Sequence, residues 1–141
     1  MKIKITGIGS YIPEKKVSNT DFSEHVFLNE DGTAFGYPNE VVINKFKGIT
    51  GIEHRRYAED QYTSSDLAFF ASQKAIENAG IDPETIDYII FAHNFGDVKS
   101  GTTQSDMIPS LATRVKNKLQ IKNPKCVAYD ILFGCPGWIE G

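Results

Sequence analysis

Cysteine is scarce: the 141 residues hold two, Cys126 and Cys135. Two are too few for a disulfide scaffold. With no Cys-x-x-Cys pair and no clustered Cys/His set, a structural zinc site is not expected, nor any other metal. Basic blocks are missing as well. The formal net charge is −3, and no run of Lys and Arg could neutralise a phosphate backbone, so a nucleic-acid partner is not expected. Long apolar runs are equally missing, since no window approaches the ~18 apolar residues of a membrane span. The opening MKIKITGIGSYIP alternates charge and isoleucine and lacks the unbroken apolar core of a signal peptide. Internal repeats and low-complexity tracts are absent. A soluble, cytoplasmic chain with no membrane association is expected.

What is present is ordinary globular composition, 40% apolar and 23% charged, over a length that suits one domain, residues 1–141. Ile3 and Ile5 alternate in KIKITGIG, which reads as a strand over 2–9. The chain then turns at Pro13, and Asn19, Thr20 or Asp21 could cap a short helix near Phe22. LNEDGTAFGYPN (28–39) reads as a loop. Val42, Ile43 and Phe46 lie at helical spacing, with Gly48 as a stop, and Ile52 to Tyr57 reads as extended. The clearest helix is TSSDLAFFASQKAIENAG. Ser64 or Ser65 caps it, Asp66 sits in its first turn and Gly80 ends it. Ala68, Ala71, Ala75 and Ala79 form a stripe of small residues that would let the helix lie close to a sheet or to another helix. Tyr88 to Ala92 reads as a strand buried on both faces, as in a parallel sheet. SDMIPSLATRVKNKLQI reads as a second helix with Pro109 in its first turn. Its core face is Leu111, Val115 and Leu119, with Lys116 and Lys118 outside. KCVAYDILF is the last strand. This order points to an α/β fold with a mainly parallel sheet flanked by helices.

Several motifs have plain readings. Gly7-Ile8-Gly9 resembles the start of a dinucleotide loop, but its third glycine would fall at Ile12, so an ordinary turn fits better. His25, His54 and His93 are scattered and read as surface or hydrogen-bonded structural histidines. Arg55 and Arg56 could meet a phosphate, though a solvated basic pair is the default. Cys126, inside a strand, reads as a small buried hydrophobe. Cys135 differs. In YDILFGCPGW the strand ends near Phe133, Gly134 permits an unusual turn, and Pro136 suits the first helical position. A thiol at a helix N-terminus is favoured as thiolate, which would lower its pKa from the free value of ~8.5. This is the layout of a nucleophile elbow with sulfur in place of oxygen. Local chemistry alone leaves a structural and a nucleophilic reading of Cys135 both open. A peroxidatic cysteine is disfavoured by the missing threonine about four residues upstream.

Segments along nearly the whole chain carry a resemblance: ITGIGSYIPEKKVSN, TGIEHRRY, DLAFFASQKAIENAGIDPETIDYIIFAH, IPSLATRVKNKLQIK and CVAYDILFGCPGW, in this order. They resemble the N-terminal half of the β-ketoacyl-acyl carrier protein synthase III family, in the thiolase-like superfamily. The resemblance implies a thiolase-like layered fold with Cys135 as the catalytic cysteine. It implies a decarboxylative Claisen condensation in fatty acid biosynthesis, with acyl-CoA as a substrate rather than a cofactor and malonyl-acyl carrier protein as the second partner. It also implies a homodimer, and a Cys135 N–H that donates to the oxyanion.

The sequence departs from the family pattern in several places. Phe133, Gly134 and Pro136 flank the cysteine where small residues are usual. Lys45 and Ile49 stand where a tryptophan and an arginine often grip CoA, which leaves a carrier-protein donor as open as CoA. FGDVKSGTTQSDM is longer than expected before Pro109. Ile108 stands where a bulkier aromatic often reaches the partner's acyl pocket, which suggests a primer longer than acetyl. The family's catalytic histidine and asparagine match nothing in this chain. It therefore reads as a truncated N-terminal domain, inactive in condensation alone and with an exposed apolar edge. A thiolase-fold ketosynthase or acyltransferase of secondary metabolism, and a non-catalytic carrier-docking subunit, are the alternatives.

Overall fold

The computed structural model describes residues 2–141. Two compact units are present, one of Ile12–Glu59 and one of residues 2–11 with Asp60–Gly141.

In the unit Ile12–Glu59, strand β1 (Lys15–Ser18) pairs antiparallel with β2 (His54–Tyr57), Lys15 opposite Tyr57. The sequence pattern had marked the second strand and missed the first, whose KKVS carries too few apolar residues to signal. A 3-10 turn over Asn19–Phe22 follows β1, with the Ser18 N–H donating to Asp21 at 2.6 Å. Helix α1 spans Asn39–Thr50. Gly48 does not stop it. The stop is Gly51, left-handed at φ 68°, whose N–H donates to the Lys47 carbonyl. A glycine ends a helix where the chain needs positive φ, and only Gly51 is placed there. Arg55 and Arg56 are engaged rather than free: Arg55 lies over the Phe22 ring and donates to Asn19, and Arg56 donates to the Glu14 carbonyl.

In the other unit, helix α2 spans Ser64–Ala79 and ends at Gly80, φ 63°, as expected. Its cap is Thr63 rather than Ser64 or Ser65. The Thr63 N–H and hydroxyl both reach the Asp66 carboxylate at 2.9 Å. Ser65 is buried and turned to a different task, described below. Residues 2–9 form no strand ladder. The segment instead runs across the α2 alanine stripe: a Cβ on Gly7 would lie 2.5 Å from the Ala75 carbonyl and 2.7 Å from the Ala79 Cβ, and one on Gly9 would strike the backbone of Ala71 and Ala75. The small residues thus serve close approach, but to an extended segment. The Ile8 N–H donates to Asn78, and Ile3, Ile5 and Ile8 remain exposed.

After a 3-10 turn at Pro83–Thr85 comes β3 (Tyr88–His93), then a hairpin of two short strands, β4 (Asp97–Val98) and β5 (Ser105–Asp106). The long stretch before Pro109 is this hairpin. Helix α3 spans Leu111–Lys118, and Ser110 is its cap, accepting from the Thr113 N–H at 3.2 Å. The helix therefore begins after Pro109 rather than around it. Strand β6 (Val127–Leu132) pairs parallel with β3, Tyr88 opposite Val127 and His93 opposite Leu132. The α/β class and the parallel pair agree with expectation, while the other two sheets are antiparallel pairs. Leu111, Ala112, Val115, Ile121 and Cys126 are buried where α3 packs on β3 and β6. Cys126 lies one residue before β6 and is buried, as its plain reading required. The opposite sheet face is open: Tyr88, Ile90, Val127 and Tyr129 are exposed at alternate positions, so β3 is not covered on both sides. Lys116 is half-buried rather than outside, and its ammonium ties the Asn123 and Cys126 carbonyls at 2.9 and 2.7 Å.

Candidate active site

The chain leaves β6 at Leu132 and enters helix α4 (Gly137–Glu140) after a four-residue connection, which carries Cys135. The sulfur-bearing residue is exposed, in contrast to Cys126. Strand, turn and helix thus follow in the expected order, but the backbone is plainer than a strained elbow. Neither Gly134 nor Cys135 has positive φ. The bend is made by Pro136 at φ −64°, ψ −21°, and by the Gly137 N–H donating to the Gly134 carbonyl at 2.8 Å. A proline ring holds φ near this helical value, so no unusual glycine conformation is required. Pro136 caps the helix, one residue earlier than its first turn proper. Among the described residues no acceptor engages the Cys135 N–H.

The turn is held from below by β3. The Phe133 N–H donates to the His93 carbonyl at 3.2 Å, extending the parallel ladder one step beyond β6. Gly137 is buried, and a Cβ there would lie 3.5 Å from the Ala92 Cβ. The two residues that end β3 therefore seat both sides of the cysteine turn.

Beneath this seat is a buried polar cluster that the sequence reading missed. Asp130 accepts the Leu111 and Ala112 N–H groups of α3 at 2.7 and 2.8 Å, satisfying two orphan donors of the helix start. It also lies 3.0 Å from His93 Nε2. The Gly96 N–H donates to His93 Nδ1 at 2.9 Å. The available signal was Asp130 itself, an acid inside the apolar run YDILF, which burial would strand without partners. His93 meets its expectation as a hydrogen-bonded histidine; His25 and His54 are exposed.

A second cluster closes the β4–β5 hairpin. Asp97 is buried and accepts the Ser65 N–H and hydroxyl at 2.8 and 2.7 Å and Arg114 Nη1 at 2.9 Å. Arg114 also reaches Asp106 at 2.7 Å and the Pro109 carbonyl at 3.0 Å. The hydrogen bond to Asp106 is foremost in holding the guanidinium above its ordinary pKa, and the same contact holds the Asp106 carboxyl below the usual range. Burial pushes Asp66 up, but its bonds to Lys118 and Thr63 outweigh that and leave it below the usual range. This cluster lines a polar cavity of about 730 Å³ that Cys135 does not border. Ile108, just beyond the hairpin, is 88% exposed. Lys45 and Ile49 lie on α1, beside Phe35, Tyr37, Val41 and Phe46, around an apolar cavity of about 280 Å³. Among the described residues no set of three or more His, Cys, Asp or Glu is arranged to hold a metal ion, and no helix is long and apolar enough to cross a membrane.

No family model matches the chain. Individual relatives do. A β-ketoacyl-[acyl-carrier-protein] synthase III 1 of Vibrio cholerae is 37% identical over 139 residues, covering 99% of this chain and 37% of that protein. The synthase III of Xanthomonas campestris is 35% identical over 137 residues, covering 96% of the chain and 35% of the relative. Among solved structures, the β-ketoacyl-[acyl carrier protein] synthase III of Thermus thermophilus superposes with a TM-score of 0.71 at 29% identity, over 98% of this chain and 36% of that one. The chain thus spans little more than a third of the length of the relatives it matches. In sequence and in fold, the chain is similar to the N-terminal part of β-ketoacyl-[acyl-carrier-protein] synthase III, and it has the thiolase-like fold.

Proposed function

We propose that Cys135 carries the acyl group in a decarboxylative Claisen condensation of fatty acid biosynthesis, as the family resemblance implies. The Cys135 thiolate attacks the carbonyl carbon of an acyl thioester. The bond to the CoA sulfur breaks, CoA leaves as its thiol after taking a proton, and a new thioester forms on Cys135. Malonyl-acyl carrier protein then loses carbon dioxide. The electron pair of the broken C–C bond forms a bond to the acyl carbon, and the Cys135 thiolate departs from a β-ketoacyl product. On this reading the unengaged Cys135 N–H donates to the oxyanion.

The observation that carries this reading is the contrast between the two cysteines: Cys135 exposed on a turn seated by the end of a parallel strand, Cys126 buried. His93 does not serve as the base, because both its ring nitrogens are engaged. Condensation on this reading needs a base other than His93, and the chain alone is expected not to turn over malonyl-acyl carrier protein. A cytoplasmic homodimer is part of the same reading. Ile108, exposed beyond the hairpin, then faces the partner's acyl pocket and leaves room for primers longer than acetyl. A related thiolase-fold ketosynthase or acyltransferase of secondary metabolism is the second reading. It is favoured by the apolar surroundings of Lys45 and Ile49, which suit CoA poorly.

The test is incubation with acyl-CoA donors from acetyl to decanoyl, using the chain and a longer protein that contains it, followed by intact mass. An acyl adduct that disappears in Cys135→Ala is expected, with longer donors preferred. An adduct that survives in Cys135→Ala would remove the proposal's chemical centre, and a strict acetyl preference would refute the roomier pocket.

A further inference from the structure

Asp130 and His93 are buried, with side chains 7% and 6% exposed, and the chemistry proposed for Cys135 uses neither. Their hydrogen bonds fix more than their own positions. The Gly96 N–H can only donate, so His93 Nδ1 is the acceptor and carries the lone pair. The ring proton then sits on Nε2 and is donated to Asp130 Oδ2 at 3.0 Å. The imidazole is thus one neutral tautomer, held from both sides. The Gly96 side of this tie is sterically closed. Gly96 has φ 77°, and a Cβ there would lie 2.6 Å from the Met107 side chain and 2.8 Å from the Asp106 carbonyl, so this turn has room for no other residue.

His93 also holds β6 twice. Its side chain holds Asp130 inside the strand, and its backbone carbonyl accepts the Phe133 N–H just past the strand's end, two residues before Cys135. Asp130 in turn fixes the start of α3. One ring therefore joins the β3–β4 turn, the end of β6 and the N-terminus of α3. The turn that presents the sulfur is the next segment of chain.

We propose that His93 is a positioning residue for Cys135: as the Nε2–H tautomer it ties Asp130 and the Gly96 turn together, and so fixes where the cysteine turn leaves the sheet. It acts through β6 and touches no substrate. This rests on the reading of Cys135 as nucleophile for its consequence, but not for its test.

The test is made on the whole chain. The ring nitrogens of His93 are read by 15N-detected NMR, and Cys135 alkylation by iodoacetamide is followed by intact mass, with buried Cys126 as internal control. His93→Gln places an amide near the Nε2 position and keeps the reach to Asp130. His93→Asn places one near Nδ1 and loses that reach. A protonated Nε2 and bare Nδ1 are expected in the wild type. Cys135 alkylation should slow by about threefold or more in His93→Asn, modest beside the ~hundredfold that an ångström of misplacement can cost, and return to near the wild-type rate in His93→Gln. Equal rates in the two variants with Cys126 protected, or a proton on Nδ1, overturn the proposal. Should Cys126 also react in His93→Asn, native-state hydrogen exchange on the wild type decides. The Gly96, Leu111 and Phe133 amides opening as one unit supports the tie, and their opening independently overturns it. Alkylation needs no acyl donor. Absence of an acyl adduct, with the His93 dependence intact, would therefore sink the acyl-transfer reading alone.

Discussion

At the scale of single residues, the charged groups divide by what they face. Asp66 and Asp106 sit beside Lys118 and Arg114, and both carboxyls are held below their ordinary value of 3.8. A carboxyl whose folded-state pKa is depressed adds stability that is fully present above its unfolded pKa and is lost as pH falls through the folded one. Thermal unfolding between pH 7 and pH 3 should therefore show a melting temperature that drops below about pH 4. Asp66→Asn should flatten that drop while lowering the melting temperature at neutral pH. Parallel curves for the two proteins would mean that the Lys118 and Thr63 contacts together contribute nothing to the pH dependence. The sequence showed Asp66 as a first-turn acid but could not show Lys118, which comes from a helix 52 positions away. Asp97 and Arg114 were illegible for the same reason: their partners are assembled by the fold.

At the scale of elements, what periodicity could see was largely right. The α2 helix, the parallel pairing of β3 with β6 and the strand–turn–helix around Cys135 follow from spacing, from the apolar runs and from Pro136. The errors fall where two local signals competed. The spacing makes Gly48 the stop of α1, but the glycine that ends it is Gly51, the one in left-handed conformation. Residues 2–9 alternate like a strand, yet a strand needs a neighbour to bond, and the alanine stripe of α2 receives the segment instead. The glycines there are a matter of space. Gly9→Val would drive its side chain into the backbone of Ala71 and Ala75. Overpacking of this kind typically costs about 1–3 kcal/mol, and urea unfolding should show a loss in that range. A change within about 0.5 kcal/mol, the scatter of an ordinary surface substitution, would mean the segment is not held on α2.

At the scale of the molecule, the open face of β3 and β6 is the conspicuous feature. Tyr88 is 63% exposed, Val127 47% and Tyr129 42%, and Trp138 follows on α4 at 85%. Contiguous apolar surface of this kind marks an interaction site or an aggregation liability. The chain is expected to self-associate at micromolar concentrations, and Tyr129→Lys should reduce that association in sedimentation velocity without altering the circular dichroism. A monomer across the concentration range would show that this face needs no cover.

The link between α3 and β6 carries a different consequence. Its lysines, Lys122 and Lys125, look like an invitation to trypsin. The segment's backbone is already committed: the Lys122 and Asn123 N–H groups go to the Glu84 carboxylate at 2.8 and 2.7 Å, the Lys125 N–H goes to Asn123 at 2.9 Å, and Lys116 grips two carbonyls nearby. A protease must peel such a strap free before it can thread it through its cleft. Cleavage should begin elsewhere, and this stretch should remain among the last to be nicked.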